Sequence, residues 1–359
     1  MPTPNPTPSR ILLVRPSALG DVCRSVPLLV SLRRAYPGAR IDWLVQRGFQ
    51  GAVEAHPDLA AHGGGVVLFD RRRYGKWSSL AAQAELLAWL KVLRSARYDL
   101  VIDAQGLLRS GLITRATGAP MRVGFAAARE GASFAYTHRV PAPGGAHAVD
   151  QMLALLGPLN VTPVRDLRLY ANAGERSAAA EQTGGAEGGP YAVLAPTSRW
   201  PSKQWPDDRY AAVAAQLLGP LGFKRVVVVG ASGEERQVPA LCAWIEREPR
   251  AVNLIGRTSV PRLMAVVEGC SLLIGSDSAA VHMAVGFDRP CVALYGPTDV
   301  ARVGPARGGT TTAKAVVVQK VRPGEPIDFG GHKGSEPGRT YMSRITTGDV
   351  IDAACCATR

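Results

Sequence analysis

Short apolar runs alternate with longer segments of helical composition almost from the start of the chain. Residues 11–14 read as a buried strand, 22–35 as a helix stopped by Pro37-Gly38, and 41–45 as the next strand, together a βαβ unit. The pattern continues through a strand at 66–69, a long helix at 80–95 and a strand at 100–104 ahead of Gln105-Gly106. A second series opens with a strand at 191–195, then a helix at 208–218, a strand at 225–229, a helix at 234–246 and a strand at 252–254. It closes with a strand at 271–274 that stops at Gly275, a helix at 278–286, a strand at 290–294 and a final helix at 347–356. Strands separated by helices in this way predict parallel sheets and an α/β fold.

Between 173 and 190 the chain turns to Ala, Gly and Glu with few large apolar residues, which reads as a helix tail followed by a flexible linker. The expected organisation is a disordered lead over 1–10, an α/β domain over 11–172, a linker over 173–190 and a second α/β domain over 191–359. Two open α/β domains in tandem predict a cleft between them, with a ligand held from each side. Residues 321–339, rich in Gly, Pro and charge, read as a loop.

Composition narrows the partners. With 359 residues, 46% hydrophobic and 20% charged, the chain is long enough for two cores. Its 42 basic and 29 acidic residues leave a net charge of +13, which calls for a negatively charged partner: nucleic acid, an anionic membrane surface or phosphorylated small molecules. The basic residues are dispersed and no aromatic-basic RNA motif is evident, so nucleic acid is disfavoured. Six cysteines without a C-x-x-C pair read as reduced, buried thiols. No segment reads as a signal peptide or a bilayer span, so a cytoplasmic location is expected.

Candidate chemistry concentrates in residues 271–299, SLLIGSDSAAVHMAVGFDRPCVALYGPTD. Asp277, Ser278 and Ala279 stand between a buried strand and a helix start, where unpaired backbone N–H groups and the helix dipole favour an anionic diphosphate. Capping is the competing role for Asp277, and a satisfied core position the competing one for His282. The strand, small helix-start residues, histidine and YGPTD turn together favour the phosphate site. The loop TSRWPSKQWP offers the hydroxyl of Thr197 and the ammonium of Lys203 to a departing phosphate, although a lone lysine is usually just solvated. Glu234 or Glu235, after the glycine-rich turn 230–233, is placed to accept from ribose hydroxyls. In the first half, Ser17, Gly20 and Asp21 follow the first strand; Asp21 reads equally well as a general base and as a helix N-cap. Arg71, Arg72, Arg73 and Lys76 follow another strand, where guanidinium groups would suit an anionic acceptor, as would Arg129.

The set VRPSALGDV, IDAQGLLRSG, AREGAS, the loop ending in SKQWP, GSDSAAVHMA and VALYGPTD resembles the bacterial ADP-heptose glycosyltransferases, nearest to their lipopolysaccharide heptosyltransferase I branch, over about residues 11–305. The resemblance implies GT-B architecture, two Rossmann-like domains with parallel sheets facing a central cleft, the first binding acceptor and the second nucleotide sugar. It implies inverting transfer from ADP-heptose to an anionic glycolipid of the Kdo-lipid A type, with no metal or other cofactor and with peripheral contact at the cytoplasmic face of the inner membrane. Asp21 then matches the catalytic base and Lys203 the group that assists the leaving diphosphate. Thr197, Lys203, Glu234, Glu235, Asp277, Ser278, Ala279 and His282 match donor-binding positions. Ser17, Gly20, Arg71, Arg72, Arg73, Gln105 and Arg129 match acceptor-binding ones. The chain departs from the family in carrying Ser278-Ala279 where Thr-Gly is usual, and in its loop at 321–339. A related GT-B transferase or epimerase acting on another nucleotide sugar is the second reading, and a basic nucleic-acid-binding protein the third.

Overall fold

The computed structural model describes residues 7–359 apart from 75–78, 185–187, 307, 310, 313, 323, 326 and 328–335. The chain divides into two compact units, Met1–Leu167 and Arg168–Arg359. In the first, strands β1 (Arg10–Val14), β2 (Arg40–Gln46), β3 (Gly65–Phe69), β4 (Leu100–Asp103), β5 (Met121–Phe125) and β6 (His138–Val140) form one sheet in the order β3-β2-β1-β4-β5-β6. In the second, β7 (Tyr191–Ala195), β8 (Arg225–Val228), β9 (Ala251–Asn253), β10 (Leu272–Ser276), β11 (Cys291–Tyr295) and β12 (Ala315–Gln319) follow the order β12-β11-β10-β7-β8-β9. Every pairing in both sheets is parallel.

Counted within its own unit, each sheet has the strand order 3-2-1-4-5-6, or its reverse, of the doubly wound fold. The central strands are buried on both faces: Ile11, Leu12, Leu13 and Val14 in β1, and Leu272, Leu273 and Ile274 in β10, are at most marginally exposed. Each such side chain removed from water contributes about 1.5–3 kcal/mol to the core.

Several expectations change. The strand expected to stop at Gly275 continues through Ser276. A Cβ at Gly275 would lie 3.1 Å from the Cβ of Ala195, so the glycine serves the close approach of β7 and does not end β10. The expected helix over 22–35 is two helices, Leu19–Arg24 and Val26–Ala35, because Pro27 has no N–H to continue the first. Within the expected linker, Ala173–Thr183 is a helix of the second unit. It packs on helix Val260–Gly269 through ion pairs Arg176–Glu268 (2.6 Å) and Arg262–Glu175 (2.5 Å). At the end of the expected lead, the backbone N–H groups of Ser9 and Arg10 donate to Asp99 at 2.8 and 2.9 Å, so the part of the lead that is described is anchored. The expected loop over 321–339 runs into a helix, Glu336–Ser343.

The thiols differ in burial. Cys23, Cys270 and Cys291 are buried, and burial pushes each up to about 12, whereas Cys356 is exposed, against the expectation of uniform burial. Because the thiolate is the nucleophile, maleimide labelling of the native protein at neutral pH is expected to proceed first at Cys356. Cys23, Cys270 and Cys291 should react only after unfolding, which peptide mapping of native and denatured samples checks.

Candidate active site

In the second sheet β7 and β10 are neighbours, yet β7 connects onward to β8 on one side and β10 to β11 on the other. The two loops diverge from adjacent carboxyl ends and leave a crevice there, the usual ligand position of an open α/β sheet. Thr197 and Ser198 follow β7, both buried, ahead of the short turn Pro201–Lys203. Asp277 follows β10. The Lys203 ammonium pairs with Asp277 Oδ2, and the Thr298 hydroxyl donates to the same oxygen at 3.0 Å. The lysine and aspartate side chains are 13% and 10% exposed, so the pair is held mostly out of water.

Asp277 is therefore no helix cap. Ser278 occupies the N-cap of helix Ala279–Gly286, with φ −146° and ψ 172°, but makes no capping bond. Its Oγ is buried without a hydrogen-bond partner among the described residues. The first-turn N–H groups beginning at Ala279 thus lack a side-chain cap beside a lysine, which is the arrangement that attracts an anion. His282 lies buried one turn into this helix. Across the crevice Glu234 opens the turn Glu234–Gln237, and its Oε2 accepts from the Thr197 hydroxyl and, at 2.8 Å, from the Ala231 N–H. Gly230 permits this closeness, since a Cβ there would sit 3.1 Å from Thr197 Oγ1. Glu235 is half-buried beside Gly256.

The first sheet repeats the design at β1 and β4. Asp21 lies in the first turn of helix Leu19–Arg24, whose N-cap is Ala18, so Asp21 is not the cap either. Its carboxylate pairs with Arg15 at 2.8 Å and with Arg24, and accepts from the Ala18 N–H at 3.3 Å. Arg15 also donates to the carbonyl of Ala104 at the end of β4. Gln105 accepts from the Ser17 N–H at 3.2 Å, and Gly20 stands beside Asp21 in the same helical turn. Beneath them Asp103 is wholly buried and accepts from Gln105 N–H at 2.9 Å, Gly106 N–H at 3.1 Å and the Tyr136 hydroxyl at 2.8 Å. Burial holds its carboxyl above the usual carboxylate range despite these bonds.

The arginine run separates into two kinds. Arg71 and Arg72, after β3, are exposed and make no ion pair among the described residues, and with Gln46, Arg47 and Phe49 they line a cavity of about 680 Å³. Arg73 lines the same cavity but also pairs with Glu85 at 2.5 Å. Arg129 is exposed, and its backbone N–H donates to Gly106 at 2.9 Å, next to Gln105. Lys76 lies outside the described residues.

Residues 86–321 match the model of glycosyltransferase family 9 (heptosyltransferase). The chain belongs to this family. It is 31% identical to lipopolysaccharide heptosyltransferase 1 of Pseudomonas aeruginosa, covering 81% of this chain and 79% of that protein. Identity to the Escherichia coli K12 protein of the same name is 29%, covering 82% and 90%. The structure of E. coli ADP-heptose lipopolysaccharide heptosyltransferase II, 22% identical, superposes with a TM-score of 0.76 over 97% of this chain and 98% of that one. E. coli WaaC with ADP-2-deoxy-2-fluoro heptose gives 0.71 at 23% identity, over 96% and 98%. The fold is GT-B, and the protein is a glycosyltransferase.

Sequence reasoning passed over Thr298, Arg15, Arg24 and Asp103, although each lies in or beside a motif it had singled out. The i,i+3 spacing of Asp21 and Arg24 on a helix was a usable signal. The contacts of Lys203 with Asp277 and of Arg15 with Ala104 join loops far apart in the chain, and local periodicity carries no trace of them. Coupling across the first of these is measurable by denaturant unfolding of Lys203→Gln, Asp277→Asn and the double variant. Each single change is expected to cost on the order of 3 kcal/mol, because it strands a poorly hydrated partner. The double variant should cost less than the sum by about 1–3 kcal/mol; strict additivity would mean that the pair contributes nothing as a pair.

Proposed function

We propose that this glycosyltransferase moves a heptose from ADP-heptose onto a hydroxyl of an anionic inner-core glycolipid, with inversion at the anomeric carbon. The observation that carries the reading is the mostly buried Lys203–Asp277–Thr298 cluster beside an uncapped helix start at the switch point of the second sheet. Kinship with lipopolysaccharide heptosyltransferase 1 over four fifths of the chain supports the choice of sugar and acceptor class.

In the proposed mechanism Asp21 accepts the proton of the acceptor hydroxyl. The hydroxyl oxygen bonds to the anomeric carbon, and the bond from that carbon to the diphosphate breaks, its electron pair leaving on ADP. Arg15 and Arg24 hold the Asp21 carboxylate in one orientation. Lys203, kept in place by Asp277, and the N–H groups from Ser278 onward offset the charge that develops on the diphosphate. His282 belongs to this donor set through its helix. Glu234, with Glu235 beside it, accepts from the ribose, and Thr197 fixes the Glu234 rotamer. Ala279 adds a methyl where the family usually has glycine, so the diphosphate sits against a slightly narrower helix start. In the first unit Arg71, Arg72, Arg73 and Arg129 bind phosphate or carboxylate groups of the acceptor, with Ser17, Gly20 and Gln105 shaping the ground near Asp21. The acceptor's lipid portion places the enzyme at the cytoplasmic face of the inner membrane as a peripheral protein.

Transfer from ADP-heptose to a panel of deep-truncated lipopolysaccharide acceptors, read by mass change, tests the reading. One added heptose on an inner-core acceptor is the expected product; transfer only from another nucleotide sugar overturns the donor assignment. Asp21→Asn is expected to lower turnover by about 10²- to 10⁴-fold while ADP binding persists. Normal turnover in that variant would reduce Asp21 to the structural partner of Arg15 and Arg24.

A further inference from the structure

Helix Leu80–Ser95, LAAQAELLAWLKVLRS, turns large apolar side chains to water beside Gln83, Lys91 and Arg94. Its inner face is accounted for: Leu93 is buried in the core with Val101, and Trp89 and Leu90 pack against that cluster. Its outer face nevertheless carries Leu80, Leu87 and Val92 at 81%, 60% and 69% exposure, together with exposed Ala84 and Ala88. A helix on the surface of a soluble domain normally sets charged and polar groups there, and large apolar side chains grouped on that face mark an interaction surface. The outward cations, Lys91 and Arg94, stand together in its last turns.

Beside this helix runs Leu108–Ala116, which also exposes Leu108 and Leu112. Between the two opens an almost wholly apolar groove of about 410 Å³, floored by Phe69, Leu86, Leu90 and Ile113. Its rim carries Arg71, Arg109 and Arg115, none in an ion pair among the described residues. The outward apolar side chains, most of the apolar trough, and Arg109 and Arg115 all belong to the neighbouring helices Leu80–Ser95 and Leu108–Ala116.

We infer that this surface seats the enzyme on an anionic lipid bilayer, the exposed leucines entering the headgroup–acyl boundary and Arg109 and Arg115 meeting lipid phosphates. The combination of apolar insertion with cationic attraction is what interfacial binding requires. A second copy of the chain fits less well: a twofold contact sets the same patch against itself and would bring the unpaired arginines of both copies together. The inference rests on the glycolipid-acceptor reading and deepens it by naming the face that meets the membrane.

Flotation of the full-length protein with vesicles of phosphatidylcholine and phosphatidylglycerol in equal parts tests this, with phosphatidylcholine vesicles as the control. Binding is expected to the anionic vesicles alone. The Leu80→Gln, Leu87→Gln, Val92→Gln variant and the Arg109→Gln, Arg115→Gln variant should each bind about tenfold more weakly or worse. The contribution of the arginines should shrink as salt is raised, since exposed charges are screened over about 10 Å at 0.1 M. Turnover on a deacylated, soluble acceptor should match that of the unchanged protein in both variants, all five positions lying outside the proposed catalytic and sugar-binding groups. Absence of vesicle binding by the unchanged protein overturns the inference, as does equal binding by the variants. So does a dimer in light scattering that the leucine variant splits into monomers. Failure of all transfer with vesicle binding intact would count against the proposed reaction and leave the docking surface standing.

Discussion

Two parallel strands that lie side by side while their onward connections run to opposite sides cannot both cover their own carboxyl ends. That topological constraint governs the chemistry-bearing residues of this protein, and it operates twice. At β7 and β10 it creates the ground on which Lys203, Asp277 and the start of helix Ala279–Gly286 meet. At β1 and β4 it brings Arg15, Ser17 and Asp21 to Ala104 and Gln105. The sheets supply rigid floors because their central strands are buried on both faces, and the loops above them are fixed by hydrogen bonds to those floors.

Pairing distinguishes the roles of the charges. Those nearest the sheet edges are compensated, Lys203 by Asp277 and Asp21 by Arg15 and Arg24, whereas burial pushes Asp103 toward its neutral form despite two backbone N–H groups and a tyrosine hydroxyl. A poorly hydrated charge without such partners would be driven to neutrality or outward to water. Arg71, Arg72, Arg109 and Arg115 are instead exposed and make no ion pair among the described residues. The first group sets geometry, while the second sets what the surface attracts.

The sequence made the architecture legible where a single segment carries its own signal. Helix Leu80–Ser95 and strand β7 have the boundaries that their periodicity predicts. Strands β5 and β6 escaped because MRVGF carries an arginine and a glycine and HRV is only three residues long at a sheet edge. Gly124 itself is required there by the Tyr136 ring, which a Cβ would approach to 2.4 Å, a tertiary reason invisible in the strand. The site followed the same division. Motifs located Asp21, Lys203 and Asp277, but who pairs with whom depends on loops from different strands. Arg73 and its neighbours read alike in sequence, and only Glu85 on the next helix sets Arg73 apart.

The loop that carries Lys203 is tied down from far along the chain. The Trp205 indole N–H donates to the Ile345 carbonyl at 2.9 Å, Arg209 donates to the carbonyls of Ser343 and Ile345, and Met342 packs where a Cβ on Gly296 would collide. On the ribosome these anchors emerge about 140 residues after the tryptophan. The first unit closes on contacts made before residue 168 and is free to fold as it leaves the exit tunnel. The lysine loop acquires its fixed geometry only once that stretch has emerged, so a shorter nascent chain holds a complete first unit and an unanchored Lys203 loop.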